Sequence, residues 1–226
     1  MKKTVSVLFM FAGILFAITL LVSNLLATKI ILVGSWAAPA GVLIFPIAYI
    51  INDVIVEVWG YQKARLIIWS GFAVNLLAVL FFTLGILAPP APFWQNQQAF
   101  ATILGNTPRI IIASLLAYLS GSFLNAYVMS RVKILMKGKN FSVRAILSTL
   151  FGETADSLIF ITIAFAGSFP LEVIFGMVVT QACIKTLYEI VVLPFTILIV
   201  NKVKQVEGID VFDESISYNP FSVSQI

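Results

Sequence analysis

Apolar runs of bilayer-crossing length recur along nearly the whole chain, and they restrict the fold before any motif is considered. A helix needs about 20 consecutive apolar residues to cross the hydrocarbon core. Only helices and closed barrels satisfy their own backbone hydrogen bonds there. Six such runs stand at roughly 4–26, 38–59, 66–88, 108–130, 145–166 and 171–200 of the 226 residues. They predict an all-α, polytopic membrane protein: a six-helix transmembrane domain over 1–200 and a polar, solvated cytoplasmic tail over 201–226. Only 11% of the residues are charged, where a soluble domain carries about 25%. The first run follows Met1-Lys2-Lys3 but is longer than a signal-peptide core and lacks a small-residue cleavage site, so it reads as a span.

Orientation follows from the bends. With the N-terminus in the cytoplasm, the inner segments hold Lys2, Lys3, Lys63, Arg65, Arg131, Lys133, Lys137, Lys139, Arg144, Lys202 and Lys204, eleven of the fourteen basic residues. The outer segments hold only Lys29 and Arg109, and the long outer loop APPAPFWQNQQAFATILGN has no charge. Basic residues concentrate on the cytoplasmic side of membrane proteins, which places both termini inside. The same distribution argues against nucleic-acid binding, because the net charge of +4 sits at the ends of apolar runs. Trp36, Trp59, Trp69 and Trp94 fall near expected interfaces and suit an aromatic belt.

Against this background Asp53, Glu57, Glu153, Asp156, Lys185 and Glu189 lie inside predicted spans. Each ionised residue at a span centre costs about 3 kcal/mol, roughly 18 kcal/mol for six, more than a typical domain's stability. They must face one another, water or a ligand. Asp53 and Glu57, like Lys185 and Glu189, are four residues apart, and Glu153 and Asp156 three, so each pair shares a helix face. With Asn52, Asn75, Asn125, Ser157 and Gln181 these stripes would line one polar chamber. Structural readings compete with this one. Lys185 and Glu189 would neutralise each other as an ion pair, and Asp53 and Glu57 would brace the inner end against Lys63, Arg65 or Arg144. Pro46 and Pro194 would kink spans 2 and 6, and Gly13 with Ala17 would form a close-packing face on span 1.

Catalytic chemistry finds no foothold. The chain has no histidine and its lone Cys183 lies in an apolar run, so neither a metal site nor a nucleophilic triad is expected. There is no G-x-x-x-x-G-K-[ST] loop for ATP. The expectation is a non-enzyme without cofactors. An acid-lined pocket suits a cation or a molecule rich in N–H donors, because a carboxylate accepts two parallel hydrogen bonds. A permease for a small nitrogen-rich solute fits best.

The segments FPIAYIINDVIVEVWGYQKAR, GSFLNAYVMSRVK, GKNFSVRAILSTLFGETADSLIFITIAFAG and QACIKTLYEIVVLPFTILIVNKVKQVEGIDVFD, in that order, resemble the queuosine precursor transporter family. This is a vitamin-uptake-transporter-like group with six spans, and the resemblance runs from about Asn24 into the tail. It rests on Asp53, Glu57, Gly60, Asn125, Lys133, Arg144, Ser148, Thr149, Gly152, Asp156, Ser157, Lys185, Glu189 and Pro194. It implies import of 7-cyano- or 7-aminomethyl-7-deazaguanine across a prokaryotic plasma (inner) membrane, with a homodimer left open. It further implies that Glu153 or Asp156 grips the guanine-like edge, with Asp53 and Glu57 near an amine or a coupling proton. Asn125 and Gln181 would meet the base's carbonyl and Lys185 would balance the acids; Glu189 stands with them among the candidate substrate-binding residues. A substrate-capture subunit of an ATP-driven vitamin importer, a non-transporting scaffold and a cation channel are the alternatives.

Overall fold

The computed structural model describes residues 5–33, 36–105 and 108–222. It is all-helical apart from one short hairpin. Helix α1 covers Val7–Leu26, strands β1 (Ile30–Val33) and β2 (Trp36–Pro39) pair antiparallel with Ile30 opposite Pro39, and a 3-10 turn over Ala40–Leu43 leads into α2. Helices α2 (Phe45–Leu87), α3 (Gln97–Leu104), α4 (Pro108–Leu135), α5 (Phe141–Phe165) and α6 (Leu171–Glu207) follow. Among the described residues five helical segments are long and apolar enough to cross a membrane, where the sequence reading expected six, because most of the run 38–59 and nearly all of the run 66–88 share the one helix α2.

Helix α2 is nevertheless not one straight rod. Gly60 has φ 82° and ψ 171°, outside the helical region. On the first side of this break Asn52 donates to Ser122 O at 3.3 Å, and on the second side Ile68 O accepts from Tyr118 Oη at 2.7 Å. Residues 118 and 122 are about 6 Å apart along α4, whereas residues 52 and 68 of a straight helix would be about 24 Å apart. The chain therefore folds back at Gly60, and α2 consists of two arms packed against the same part of α4. The bend that the sequence reading drew around Lys63 and Arg65 is reduced to a single glycine.

Helix α1 runs beside the second arm. Phe9 packs on Trp59 with ring centroids 5.4 Å apart, Gly13 abuts Ile67, Phe16 and Leu20 meet Gly71, and Asn24 donates to Asn75 at 2.7 Å. Position on α1 rises with position on α2, so the two are parallel. The Gly13 face is thus an internal packing face. Helices α4 and α5 approach closely at Gly121 and Gly152, where an added Cβ would come within 2.9 Å of the other glycine's carbonyl oxygen. Large apolar side chains point outward, including Phe81, Leu187, Val191 and Phe195 at 61–67% exposure, while charges are buried. This inside-out arrangement suits a lipid surround.

Three expectations are corrected. Pro46 stands in the first turn of α2, where its missing N–H is no loss, so only Pro194 lies inside a helix. Trp59 is buried against Phe9 and Trp69 donates to Pro220 O at 2.8 Å, so these two serve packing, not a belt. Trp94 is exposed, and the side chain of Trp36 lies outside the described residues. The tail after α6 is also not a free, solvated end. Asp213 is buried and Arg65 donates to Ser217 O and Asn219 O, which straps the tail across α2 and α4.

Candidate functional site

The intramembrane charges converge, and helical spacing sorts them into three tiers. Of the three polar positions on the first arm of α2, Tyr49 lies farthest from the Gly60 break and marks the outer tier, one turn further is Asp53, and another turn on is Glu57. Each tier collects side chains from α4, α5 or α6.

The tier at Glu57 is a clamp. Its Oε1 receives Arg144 Nη2 at 2.7 Å and Lys204 Nζ at 2.5 Å, with Lys133 Nζ at 3.7 Å. Lys133 also donates to Glu57 O at 2.5 Å, to Asp210 Oδ1 at 2.5 Å and to Val211 O at 2.8 Å. Three basic residues expected in bends or at the inner end meet on one buried carboxylate. The bracing alternative for Glu57 was right about Arg144 and wrong about Lys63 and Arg65. Lys63 lies over the Phe9 ring, and Arg65 is buried beneath the tail.

Beside the clamp, the tail closes the break in α2. Val211 N donates to Val58 O at 3.2 Å, and Tyr61 N donates to Asp213 Oδ2 at 2.9 Å. One freed carbonyl and one freed amide at the interruption are thus satisfied by a segment about 150 residues away in sequence. Ser130 Oγ donates to the same Asp213 oxygen at 2.5 Å. Asp213 acts as an N-cap to the second arm, a role suited to an acid.

The middle tier holds Asp53, Asn52, Asn125, Ser148, Thr149 and Glu189. Asn52 donates to Asn125 Oδ1 at 2.7 Å, Ser148 to Asp53 Oδ1 at 3.3 Å, and Thr149 to Glu189 Oε2. The outer tier is built on Lys185, whose Nζ is 2.7 Å from Glu153 Oε2 and 2.8 Å from Asp156 Oδ2. Lys185 therefore does not pair with Glu189, four residues along its own helix, as one reading expected. Its ammonium sits 4.2 Å from the centre of the Phe45 ring, which is 5.6 Å from the ring of Tyr49. Tyr49 fits against the α4–α5 contact, since a Cβ on Gly121 would collide with its hydroxyl and come within 2.8 Å of Asp156 Cβ.

Of the eight residues picked from sequence, Asp53, Asn125, Glu153, Asp156, Lys185 and Glu189 are buried in these two tiers. Gln181 lies one turn from Lys185 with its Oε1 buried, and Glu57 belongs to the clamp. Sequence reasoning missed Phe45 and Tyr49. The available signal was a phenol one turn before Asp53 on the same face. Several buried atoms here have no hydrogen-bond partner in the protein: Tyr49 Oη, Asp53 Oδ2, Asn125 Nδ2, Ser157 Oγ, Gln181 Oε1 and Glu189 Oε1. Such atoms are rare in a folded interior and call for an explanation. Among the described residues no group of three His, Cys, Asp or Glu side chains is placed to hold a metal ion.

Comparison with known proteins matches residues 39–199 to the family described as "Putative vitamin uptake transporter". The chain belongs to this family. A Bacillus subtilis (strain 168) protein named "Probable queuosine precursor transporter" is 30% identical over 175 residues, covering 76% of each chain. The Escherichia coli (strain K12) "Queuosine precursor transporter" is 31% identical over 154 residues, 67% of each chain. A Haemophilus influenzae protein named "Probable queuosine precursor transporter" is 32% identical over 126 residues, 55% of this chain and 51% of that one. No solved structure matches. The family is one of transporters, not enzymes, and its apolar helices make this member an integral membrane protein.

Proposed function

We propose that the chain imports a queuosine precursor, a deazaguanine carrying a 7-cyano or 7-aminomethyl group, into the cytoplasm across the plasma membrane. The observation that carries this reading is the set of unpartnered polar atoms around Lys185, Tyr49 and Gln181, enclosed in an otherwise apolar bundle. A guanine-like edge offers a ring N–H and an amine side by side, and a carboxylate accepts both. Glu153 or Asp156 takes that fork, with Lys185 holding their charge. Tyr49, Asn125 and Gln181 supply the remaining hydrogen bonds, and Phe45 flanks the flat ring. Asp53 and Glu189 lie one turn inward, and Glu57 holds the inner end together.

In this reading the two arms of α2 each cross the bilayer, giving six crossings with both termini cytoplasmic. The support is that Lys133, Arg144 and Lys204, from the basic segments, gather at the end closed by the tail. The acids are at most 6% exposed, so substrate entry requires the helices to part. That the Gly13 face packs on Ile67 speaks against its use as a docking face for an ATP-driven coupling protein.

Purified protein should bind 7-aminomethyl-7-deazaguanine at equilibrium and, reconstituted alone in liposomes, take it up. Glu153→Gln and Asp156→Asn should weaken binding at least tenfold, the effect of about 1.4 kcal/mol, or one charge-assisted hydrogen bond. Wild-type protein that binds no deazapurine would refute this function. Binding without solitary uptake would instead favour the substrate-capture subunit.

A further inference from the structure

We infer that Asp53 and Glu189 form a proton-binding site, one proton shared by two carboxyl groups, and that this proton accompanies the solute. The coupling half rests on the transport reading above; the site itself does not. The two carboxyls come from different helices, α2 and α6, and are held side by side by consecutive residues of α5, Asp53 by Ser148 and Glu189 by Thr149. Asp53 Oδ2 and Glu189 Oε1 both lack a donor, while their partner oxygens are occupied by Ser148 and Thr149. Both residues are at most 1% exposed. Two ionised carboxylates have no hydrogen to offer each other, and at this range in a low-dielectric interior they repel. One proton turns two orphaned acceptors into an O–H···O bond and lowers the charge of the pair from −2 to −1.

No cation serves in the proton's place. The groups within reach of the pair are Tyr49 on its own α2 arm, Asn125 on α4 and Ser148 and Thr149 on α5. The charged groups of the two neighbouring tiers are Glu57 on α2, Lys133 on α4, Arg144, Glu153 and Asp156 on α5, and Lys185 and Lys204 on α6. The cations among these are committed: Arg144, Lys133 and Lys204 to Glu57, and Lys185 to Glu153 and Asp156. Among the described residues neither Asp53 nor Glu189 has an ion-pair partner. Helix α1 brings no charged side chain, and Lys63 and Arg65 of the second α2 arm are turned to Phe9 and to the tail. The pair lies between the outer tier and the clamp, where a proton can answer the state of Lys185 and its acids.

The test has two arms. Infrared spectra of the full chain in lipid at neutral pH should show a carboxylic-acid carbonyl band that shifts in heavy water. That band should disappear in Asp53→Asn and in Glu189→Gln; each variant is a separate probe, so one that fails to fold leaves the other. Absence of the band in wild type, or its persistence in a folded variant, overturns the inference. The second arm uses neutral 7-cyano-7-deazaguanine and wild-type proteoliposomes at zero membrane potential. One proton per solute predicts about tenfold accumulation for each imposed pH unit. Uptake indifferent to the gradient overturns the inference and leaves precursor transport standing. The band without any uptake sinks the transport reading and upholds the proton site.

Discussion

Glu57 and Asp53 stand one helical turn apart on α2, equally buried, and their surroundings are opposite. Glu57 is answered by Arg144, Lys133 and Lys204, with the tail packed beside them. Asp53 faces another acid, the Ser148 hydroxyl and the Asn125 amide, with an oxygen left unpartnered. The contrast teaches that a buried charge in a membrane chain is not one kind of signal. Where cations gather, the acid holds helices together; where none comes, it is open to a ligand or a proton. Lys185 stands between these cases, because its two acids are neutralised by a cation within reach of Phe45 and Tyr49.

The comparison breaks most sharply at Glu57. Glu57→Ala leaves buried cations uncompensated and should cost about 3–5 kcal/mol, as removing one partner of a buried ion pair does. Denaturant unfolding in detergent, and the yield of folded protein from membranes, read this directly; wild-type stability would end the clamp assignment. Asp213→Ala comes next, because Tyr61 N–H and Ser130 Oγ lose a charged acceptor. About 1–3 kcal/mol of stability should go, and proteolysis of the tail should accelerate. Asp53→Asn is the counter-test: an amide occupies the carboxyl's volume and can donate to Glu189, so unfolding should shift by no more than about 1 kcal/mol. A loss as large as that at Glu57 would erase the distinction between the two tiers.

The smallest effect sharpens the clamp by pH. Burial works against the charged form of Asp210, but hydrogen bonds and charge from Lys133 and Lys204 outweigh it and hold the carboxyl below its ordinary range. A carboxyl with a depressed folded-state value contributes stability above its unfolded value and loses it as pH falls through the folded one. Unfolding of wild type should therefore weaken modestly on acidification through the carboxylate range. Asp210→Asn should flatten part of that slope.

Much of the fold was legible because bilayer physics writes it into composition: long apolar runs must be helices, and four of the six predicted spans match α1, α4, α5 and α6 to within several residues. The polar stripes were equally legible, since spacing of three or four places residues on one face whatever the neighbours are. Their partners were not. Nothing in the sequence ties Glu57 to Lys204, or frees Glu189 from Lys185 on its own helix, because those choices depend on which faces meet after packing. Tyr49 was hidden for the same reason, its place depending on two glycines in α4 and α5.

By itself the sequence determined a helical membrane protein whose few buried charges share helix faces, since desolvation leaves a long apolar run no other outcome. Only the tertiary structure decided that α2 doubles back at Gly60, that the tail fills that gap through Val211 and Asp213, and which acid meets cations. Such contacts span scores of residues, and they exist only once the helices have been brought together.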